Sequence, residues 1–269
     1  MLKTQKSHLA GAAKSFIDVK LASGIVSFSL SEMTNKTGLS VVAARNQLLH
    51  LKNLVSRVSP RQQYFLIIQP EHRVIGAPPV EWWLDDYFKW LGLPYYIALQ
   101  SAAGIYGSNQ QAIQETQIIT NVQRRDMIIG RVRLRFFTKT GVDKTLTQQL
   151  QGGYAPLIVS TTETTVFDLI RYSSSIGGIE RAAETITPML RLVKAKELSR
   201  VLDAEDETAT AQRLGFVMEK LGADVLAKAV RGWLPKNVQM VPISTRLVSD
   251  PSAPINRKWN VINNSKGFI

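Results

Sequence analysis

Residues 29 to 54, SLSEMTNKTGLSVVAARNQLLHLKNL, restrict this chain more than any other stretch, because they hold two short helical phrases separated by one glycine. Ser29 and Glu32 make the S-x-x-E pattern of a capping box, which satisfies the orphan amides of a helix running to about Lys36. Gly38 supplies the positive φ of a tight helix end, and Ser40 can accept from the first free amides of the next helix. In that next helix Val41, Ala44, Leu48 and Leu51 fall on one face, leaving Val42, Ala43, Arg45, Asn46, Leu49 and Asn53 wholly or partly outward. Two helices joined this tightly either pack a core and nothing more, or offer the second helix to a nucleic-acid groove.

The flanking sequence favours the second reading. Upstream, Leu9, Ala12, Phe16 and Val19 predict a helix ending at Gly24, and Ile25 to Phe28 predict a short strand. Downstream, VSRVS and YFLII are separated by the turn signal PRQQ and predict a hairpin. Helix, strand, helix, turn, helix, hairpin is the order of a winged helix-turn-helix, here over residues 1–76 with a core of Phe16, Val19, Met33, Ala44, Leu48 and Leu51. A formal net charge of +12 and a pI near 10.0 point the same way, since neutralised phosphates release condensed counterions. Double-stranded DNA is the expected partner. Arg45 and Asn46 are placed to reach base edges, Thr37 and Ser40 to lie near phosphate, and Arg57, Arg61 and Gln62 to form the wing, with Lys52 as a further backbone contact.

APPV at 77–80 reads as a linker, after which a second region, 81–269, begins. Its first part, 81–159, is mixed α/β. EWWLDDYFKWLGLPYYIALQSAAGIYG is aromatic and helix-like, with Trp83, Tyr87 and Trp90 at helical offsets that suit a core stripe or an interdomain seam. QIIT at 117–120 and RVRLRFFT at 131–138 read as strands. In the latter Arg131, Arg133 and Arg135 alternate with Val132, Leu134 and Phe136, predicting one basic face and one buried face. A second S-x-x-E pattern at Ser160 and Glu163 opens a helical part, 160–236, expected to form a bundle through Val166, Phe167 and Ile170, then Leu214, Val217, Met218 and Leu221, then Val225, Leu226, Ala229 and Trp233. The tail, 237–269, is expected to run extended over the surface, pinned by Trp259. The fold class is α+β.

Catalytic chemistry finds no constellation here, and no cofactor or metal is expected. Cysteine is absent, which excludes disulfides and thiolate metal sites and suits a reducing cytoplasm; no segment approaches a membrane span. His8, His50 and His72 lack ligand spacing. Asp203, Glu205, Asp206 and Glu207 read as a solvated helix cap. Gly107 and Ser108 resemble the glycine-serine turn of nucleotidyltransferases, but NQQAIQ follows without paired carboxylates, and no Glu-x-Lys of a nuclease occurs. The alternatives left open are a stand-alone transcriptional regulator with a sensing C-terminal domain and a nucleic-acid-processing enzyme.

Beyond the N-terminal pattern, YYIALQSAAGIYG, QIIT, RVRLRFF, STTETTVFDLIRYSSSIGGIERAAE and the closing RKWNVINN resemble the abortive-infection AbiEi antitoxin family. The most specific block runs from Ser160 to Glu184 and carries Thr161, Glu163, Thr165, Asp168, Leu169, Gly177 and Gly178; it departs from the family in having Thr162 where a proline is common. The resemblance implies an antitoxin of a type IV system that represses its own operon and forms no stable complex with its toxin. It implies inverted-repeat operators and a nucleotidyltransferase-like toxin countered by the C-terminal domain; the sequence has no heptad seam to hold a dimer beforehand, so a monomer in solution that pairs on DNA is expected. The basic surface available for that task comprises Arg131, Arg133 and Arg135 with Arg181, Arg191, Lys194 and Lys196, whose plainer reading is a solvated face.

Overall fold

The computed structural model describes residues 11–108, 115–151, 156–247 and 252–265. His8, Leu9 and the NQQAIQ segment lie outside them. Helix α1, Ala12–Ala22, buries Ala13, Phe16 and Ile17. Val19, expected in the core, is 66% exposed. At 100° per residue it falls about 120° away from Ala13, off the stripe that Ala13, Phe16 and Ile17 define. Strand β1, Ser27–Ser29, leads into α2, Leu30–Thr37, where the Ser29 hydroxyl accepts from the Glu32 amide at 3.1 Å while the Glu32 carboxylate pairs with Lys20 of α1. Gly38 ends α2 at φ 70° with open space around it, so the demand for glycine is conformational. Ser40 caps α3, Val41–His50, by accepting from the Ala43 amide at 3.2 Å. Ala44 and Leu48 face inward; Val41, placed inward from the sequence, is exposed, and Leu51 is half-buried.

Strands β2, Val55–Arg57, and β3, Tyr64–Ile67, pair antiparallel, and β1 joins on the other side of β3 to give the order β1-β3-β2. Alternation along β3 sends Phe65 and Ile67 into a core with the α1–α3 side chains, where Phe28 lies between the rings of Phe16 and Phe65. Tyr64 and Leu66 point the other way, into the second region. The Tyr64 ring meets Tyr87 at 5.4 Å and Trp90 at 5.1 Å. Ala77 and Val80 of the expected linker are buried in the same cluster, and the Trp83 indole donates to the Pro78 carbonyl at 3.2 Å. The change in composition at 77–80 is therefore not a break in packing.

The second region is built on a six-stranded mixed sheet. After α4, Leu84–Leu91, the chain forms β4, Tyr95–Ile97, then α5, Leu99–Ile105, and β5, Thr116–Thr120. The aromatic stretch that reads as helical thus contains a central strand, because Gly92 (φ 65°) and Pro94 stop α4 and the run YYI prefers extended backbone. Strands β6, Met127–Ile129, and β7, Val132–Thr138, form one edge, with β8, Thr147–Gln151, and β9, Pro156–Ser160, at the other. Tyr95, Ile97, Ile118, Leu134 and Val159 face α4 and the N-terminal unit; Tyr96, Ile119 and Phe137 face the C-terminal helices.

Those helices are α6, Thr162–Arg171, α7, Ile179–Ile186, α8, Ala195–Glu205, α9, Thr208–Lys220, and α10, Asp224–Trp233. Thr161, not Ser160, caps α6, accepting from the Thr164 amide at 3.2 Å; Ser160 stays in β9 and bonds Thr165 Oγ1 at 2.7 Å. Thr162 occupies the first helical position, where proline is well tolerated. On α10 the inward stripe is Leu226, Ala227 and Val230, and Val225, expected with them, is exposed. The tail is more than a surface strap: β10, Val241–Pro242, β11, Ile255–Asn256, and β12, Val261–Ile262, form a small sheet of order β10-β12-β11, and Ile243, Trp259 and Val261 are fully buried. Gln212 of α9 donates to the Gln239 and Trp259 carbonyls at 2.8 Å each.

Gly215 of α9 faces the Trp259 ring, whose atoms lie 2.0–2.6 Å from where a Cβ would stand. Alanine in a helix interior ordinarily stabilises by roughly 0.5–1 kcal/mol over glycine. Here the overlap is expected to reverse the sign, and Gly215→Ala should cost roughly 1–3 kcal/mol and lower the thermal midpoint by several degrees. Calorimetry checks it; an unchanged or raised midpoint would mean that the indole gives way freely.

Candidate nucleic-acid interface

The outward face of the N-terminal unit follows from which side of α3 the core leaves free. Arg45 and Asn46 are exposed on α3, and Lys52 is exposed just beyond it. Between α3 and the hairpin runs a groove of about 540 Å³ lined by Arg45, Leu49, Lys52, Arg57, Pro60 and Phe65. Arg57 lies over the Phe65 ring at 5.4 Å and donates to the Pro60 carbonyl at 3.1 Å, which fixes its guanidinium at the groove's edge. Arg61 is exposed in the hairpin turn. Three other residues singled out from the sequence are engaged within the fold. The Thr37 hydroxyl donates to the Met33 carbonyl at 2.7 Å and accepts from the Leu39 amide at 3.3 Å, closing α2. Ser40, though exposed, caps α3. Gln62 accepts from the Tyr87 hydroxyl at 2.6 Å, so its carbonyl faces the seam and not the groove.

The basic strand is not one solvated face. Arg131 precedes β7, in the turn where its amide donates to the Ile75 carbonyl at 2.7 Å, and Arg133 is exposed. Arg135 shares its side of β7 with the buried Phe137 and is half-buried itself: it pairs with Glu115 at 3.3 Å, donates to the Ser175 carbonyl at 2.8 Å and stacks on Phe137. Both faces of β7 are covered, and the expectation of one basic face gives way to a single exposed arginine on the strand. Arg181 pairs with Glu184 at 3.2 Å, while Arg191, Lys194 and Lys196 are exposed. Arg135 contacts the turn after α6, whereas the Lys194 amide donates to Glu163 in the first turn of α6. A ten-residue helix is about 15 Å long, so the two groups of cations stand at opposite ends of it.

Toward the C-terminal end of α6 lies a buried charged network that the sequence reading did not assemble. Lys139 Nζ donates to Glu205 at 2.5 Å, to Thr145 Oγ1 at 2.7 Å and to the Tyr96 hydroxyl at 3.3 Å. Tyr96 in turn donates to Asp168 Oδ2 at 2.8 Å. Arg171 reaches Glu205 at 2.8 Å and Glu207 at 2.9 Å. Glu205 was expected in a solvated cap; its side chain is only 3% exposed, because α8 ends against the sheet. Asp203, of the same expected cap, accepts from the Trp233 indole at 2.8 Å. One signal for Lys139 was available, since continuing the alternation of Arg135 and Phe137 puts it on the inner side. Burial pushes the Asp168 carboxyl up to about 6; Lys139, Tyr96 and Arg171 oppose the rise and Glu205 adds to it. Burial and Asp168 hold the Tyr96 hydroxyl well above its ordinary value, so it stays a donor.

Among the described residues no group of three or more His, Asp or Glu side chains is arranged to hold a metal ion, and no helix is long and apolar enough to cross a membrane. His50 is exposed, and His72 meets the Trp82 ring edge-on at 5.1 Å.

A basic unit of helices and a hairpin is thus seated on a larger α+β unit. Residues 96–220 match the AbiEi antitoxin C-terminal domain, so the chain contains a domain of that kind. The match opens at Tyr96 and closes at the end of α9, and every member of the buried network falls inside it. The RV2827C protein from Mycobacterium tuberculosis has a similar crystal structure, with a TM-score of 0.66 at 14% identity over 94% of this chain and 91% of that one. The α+β architecture is therefore shared along nearly the whole length. An antigenic nucleotidyltransferase-like protein from Paracoccidioides brasiliensis aligns with 58% of this chain and 92% of its own at 10% identity, but its TM-score of 0.37 is too low to establish a common fold. Comparison with curated protein sequences gave no match.

The raised Asp168 makes protons bind the native state more tightly than the unfolded chain, where the group titrates near 3.8. The stabilisation that protonation brings is full below about 3.8 and lost as pH rises through about 6. Lowering the pH from about 7.5 to about 5 should therefore add on the order of 1 kcal/mol from this residue. Asp168→Asn, neutral throughout, should lack that increment. Urea unfolding of both proteins at the two pH values measures the difference, and equal pH dependence would show that Asp168 is ionised across the range.

Proposed function

We propose that this protein is a DNA-binding antitoxin that represses its own operon through a winged helix-turn-helix within residues 1–76 and counters a nucleotidyltransferase-like toxin through the region from residue 81 onward. The observation that carries the reading is the presence in one chain of an antitoxin domain and a capped helix pair whose second helix turns Arg45 and Asn46 to solvent beside a cationic groove. On this reading α3 enters the major groove, Arg45 and Asn46 meet base edges, and each good bidentate pair contributes about 1–3 kcal/mol of discrimination. Lys52, Arg57 and Arg61 neutralise phosphate and give affinity without sequence preference. Two copies bind an inverted repeat with two-fold symmetry, and the DNA-free protein is a monomer in the cytoplasm. Neutralisation falls to the cations that the fold leaves outward, Arg131 and Arg133 at the strand and Arg191, Lys194 and Lys196 near the start of α6, with Arg135 a structural residue; no stable complex with the toxin is required.

Binding to the DNA upstream of the protein's own gene tests the first half. Arg45→Ala and Asn46→Ala should weaken binding and relax base preference, whereas Arg57→Ala or Arg61→Ala should weaken binding to every sequence and reduce the salt slope by about one. Unchanged affinity and preference in the first pair would remove α3 as the reader. The second half is tested in cells expressing the neighbouring toxin: reversing charge at Arg191, Lys194 and Lys196 should abolish protection while leaving repression intact, and retained protection would leave these residues as ordinary surface.

A further inference from the structure

The outward stripe of α3 is not only polar. Val42 is 68% exposed and Leu49 is 70% exposed, although the helix already satisfies its own core with Ala44 and Leu48. At 100° per residue Val42, Arg45, Asn46 and Leu49 fall within an arc of about 100°, and along the helix axis they follow in the order aliphatic, arginine, asparagine, aliphatic. Leu49 also lines the groove beside Arg45, Lys52 and Arg57. Two solvated aliphatic side chains set among cations do not suit an apolar protein partner of the same charge, and a second copy of this face would bring like charges together. They suit duplex DNA, whose major groove is anionic at its walls and presents one apolar group on its floor, the thymine methyl.

We propose that Val42 and Leu49 are specificity-determining residues that pack against thymine 5-methyl groups. The proposal rests on the reading of α3 as the DNA-reading helix and adds to it what the operator must contain. Val42 and Leu49 are seven residues apart, about 10.5 Å along the helix, which matches about three base-pair steps of 3.4 Å. The operator half-site should therefore hold two thymines about three steps apart, on either side of the bases that Arg45 and Asn46 contact.

The test uses the full-length protein and a pool of random duplexes. After selection, each thymidine of the enriched duplex is replaced in turn by deoxyuridine, which removes the methyl group and leaves every hydrogen-bonding atom in place. Burial of one such carbon group corresponds to about fourfold in affinity. Two positions should show a loss of about that size with the native protein. Val42→Ala should bind the unmodified duplex correspondingly less well and become indifferent to deoxyuridine at one of them; Leu49→Ala should do so at the other. Both side chains are largely solvated and alanine favours helix, so the variants keep the fold. If deoxyuridine is neutral everywhere while the duplex stays selectively bound, the methyl reading is wrong and the DNA reading stands. If no duplex is enriched, both fall. If the variants remain as sensitive to deoxyuridine as the native protein, or Val42→Ala instead dissolves a dimer of the DNA-free protein, the stripe has another occupant.

Discussion

Strands β4 and β5 have no side suited to water. Tyr95, Ile97 and Ile118 project from one face of the sheet and Tyr96 and Ile119 from the other, so these central strands are stable only when both faces are covered. The C-terminal helices cover one face. The other is covered by α4, and α4 is in turn covered by the N-terminal unit through Tyr64 and Leu66. The dependence runs through β3, which presents Phe65 and Ile67 to the helices carrying the candidate DNA face and Tyr64 and Leu66 to the layer over the sheet. Residues 11–68 have a core of their own, but the region beyond them does not keep its aromatic layer dry alone.

The charged network is tied to the same sheet. Lys139 follows β7, Tyr96 belongs to β4, Asp168 to α6 and Glu205 to α8, so one cluster joins two strands and two helices. Buried ion pairs give little net stability, because desolvation offsets most of the Coulomb attraction, yet removing one partner leaves an uncompensated charge and is strongly destabilising. Their effect here is on arrangement: Glu205 at the end of α8 meets both Lys139 and Arg171, which ties α8 to the sheet and to α6.

Local chemistry was legible in the sequence and tertiary coverage was not. Ser29, Gly38 and Ser40 set helix ends through their own side chains and backbone, and the helix pair followed from them. The same local reading slipped by one residue at Thr161, because β9 keeps Ser160 in a strand. YYI was absorbed into a helix because its aromatic character continues that of α4 across only a short break. Arg45, Asn46, Lys52, Arg57 and Arg61 could be placed outward because the opposite face of each element is apolar. Gln62, Arg135 and Glu205 could not be placed correctly, since what holds them, Tyr87, Ser175 and Lys139, is far off in sequence and arrives only with the seam and the packed sheet.

Gly215 and Trp259 carry a consequence for synthesis as well as for packing. The slot that the missing side chain leaves in α9 is filled by a ring 44 residues further along (259 − 215). At roughly 5–20 residues per second, a ribosome needs roughly 2–9 seconds to make that interval. During that time α9 has been made but its apolar slot is open to water and to other chains. The domain therefore closes only once Trp259 has been made, and a nascent chain halted between the two residues is left with an open seat for an aromatic side chain, the kind of exposed surface by which chaperones and proteases recognise an unfinished protein.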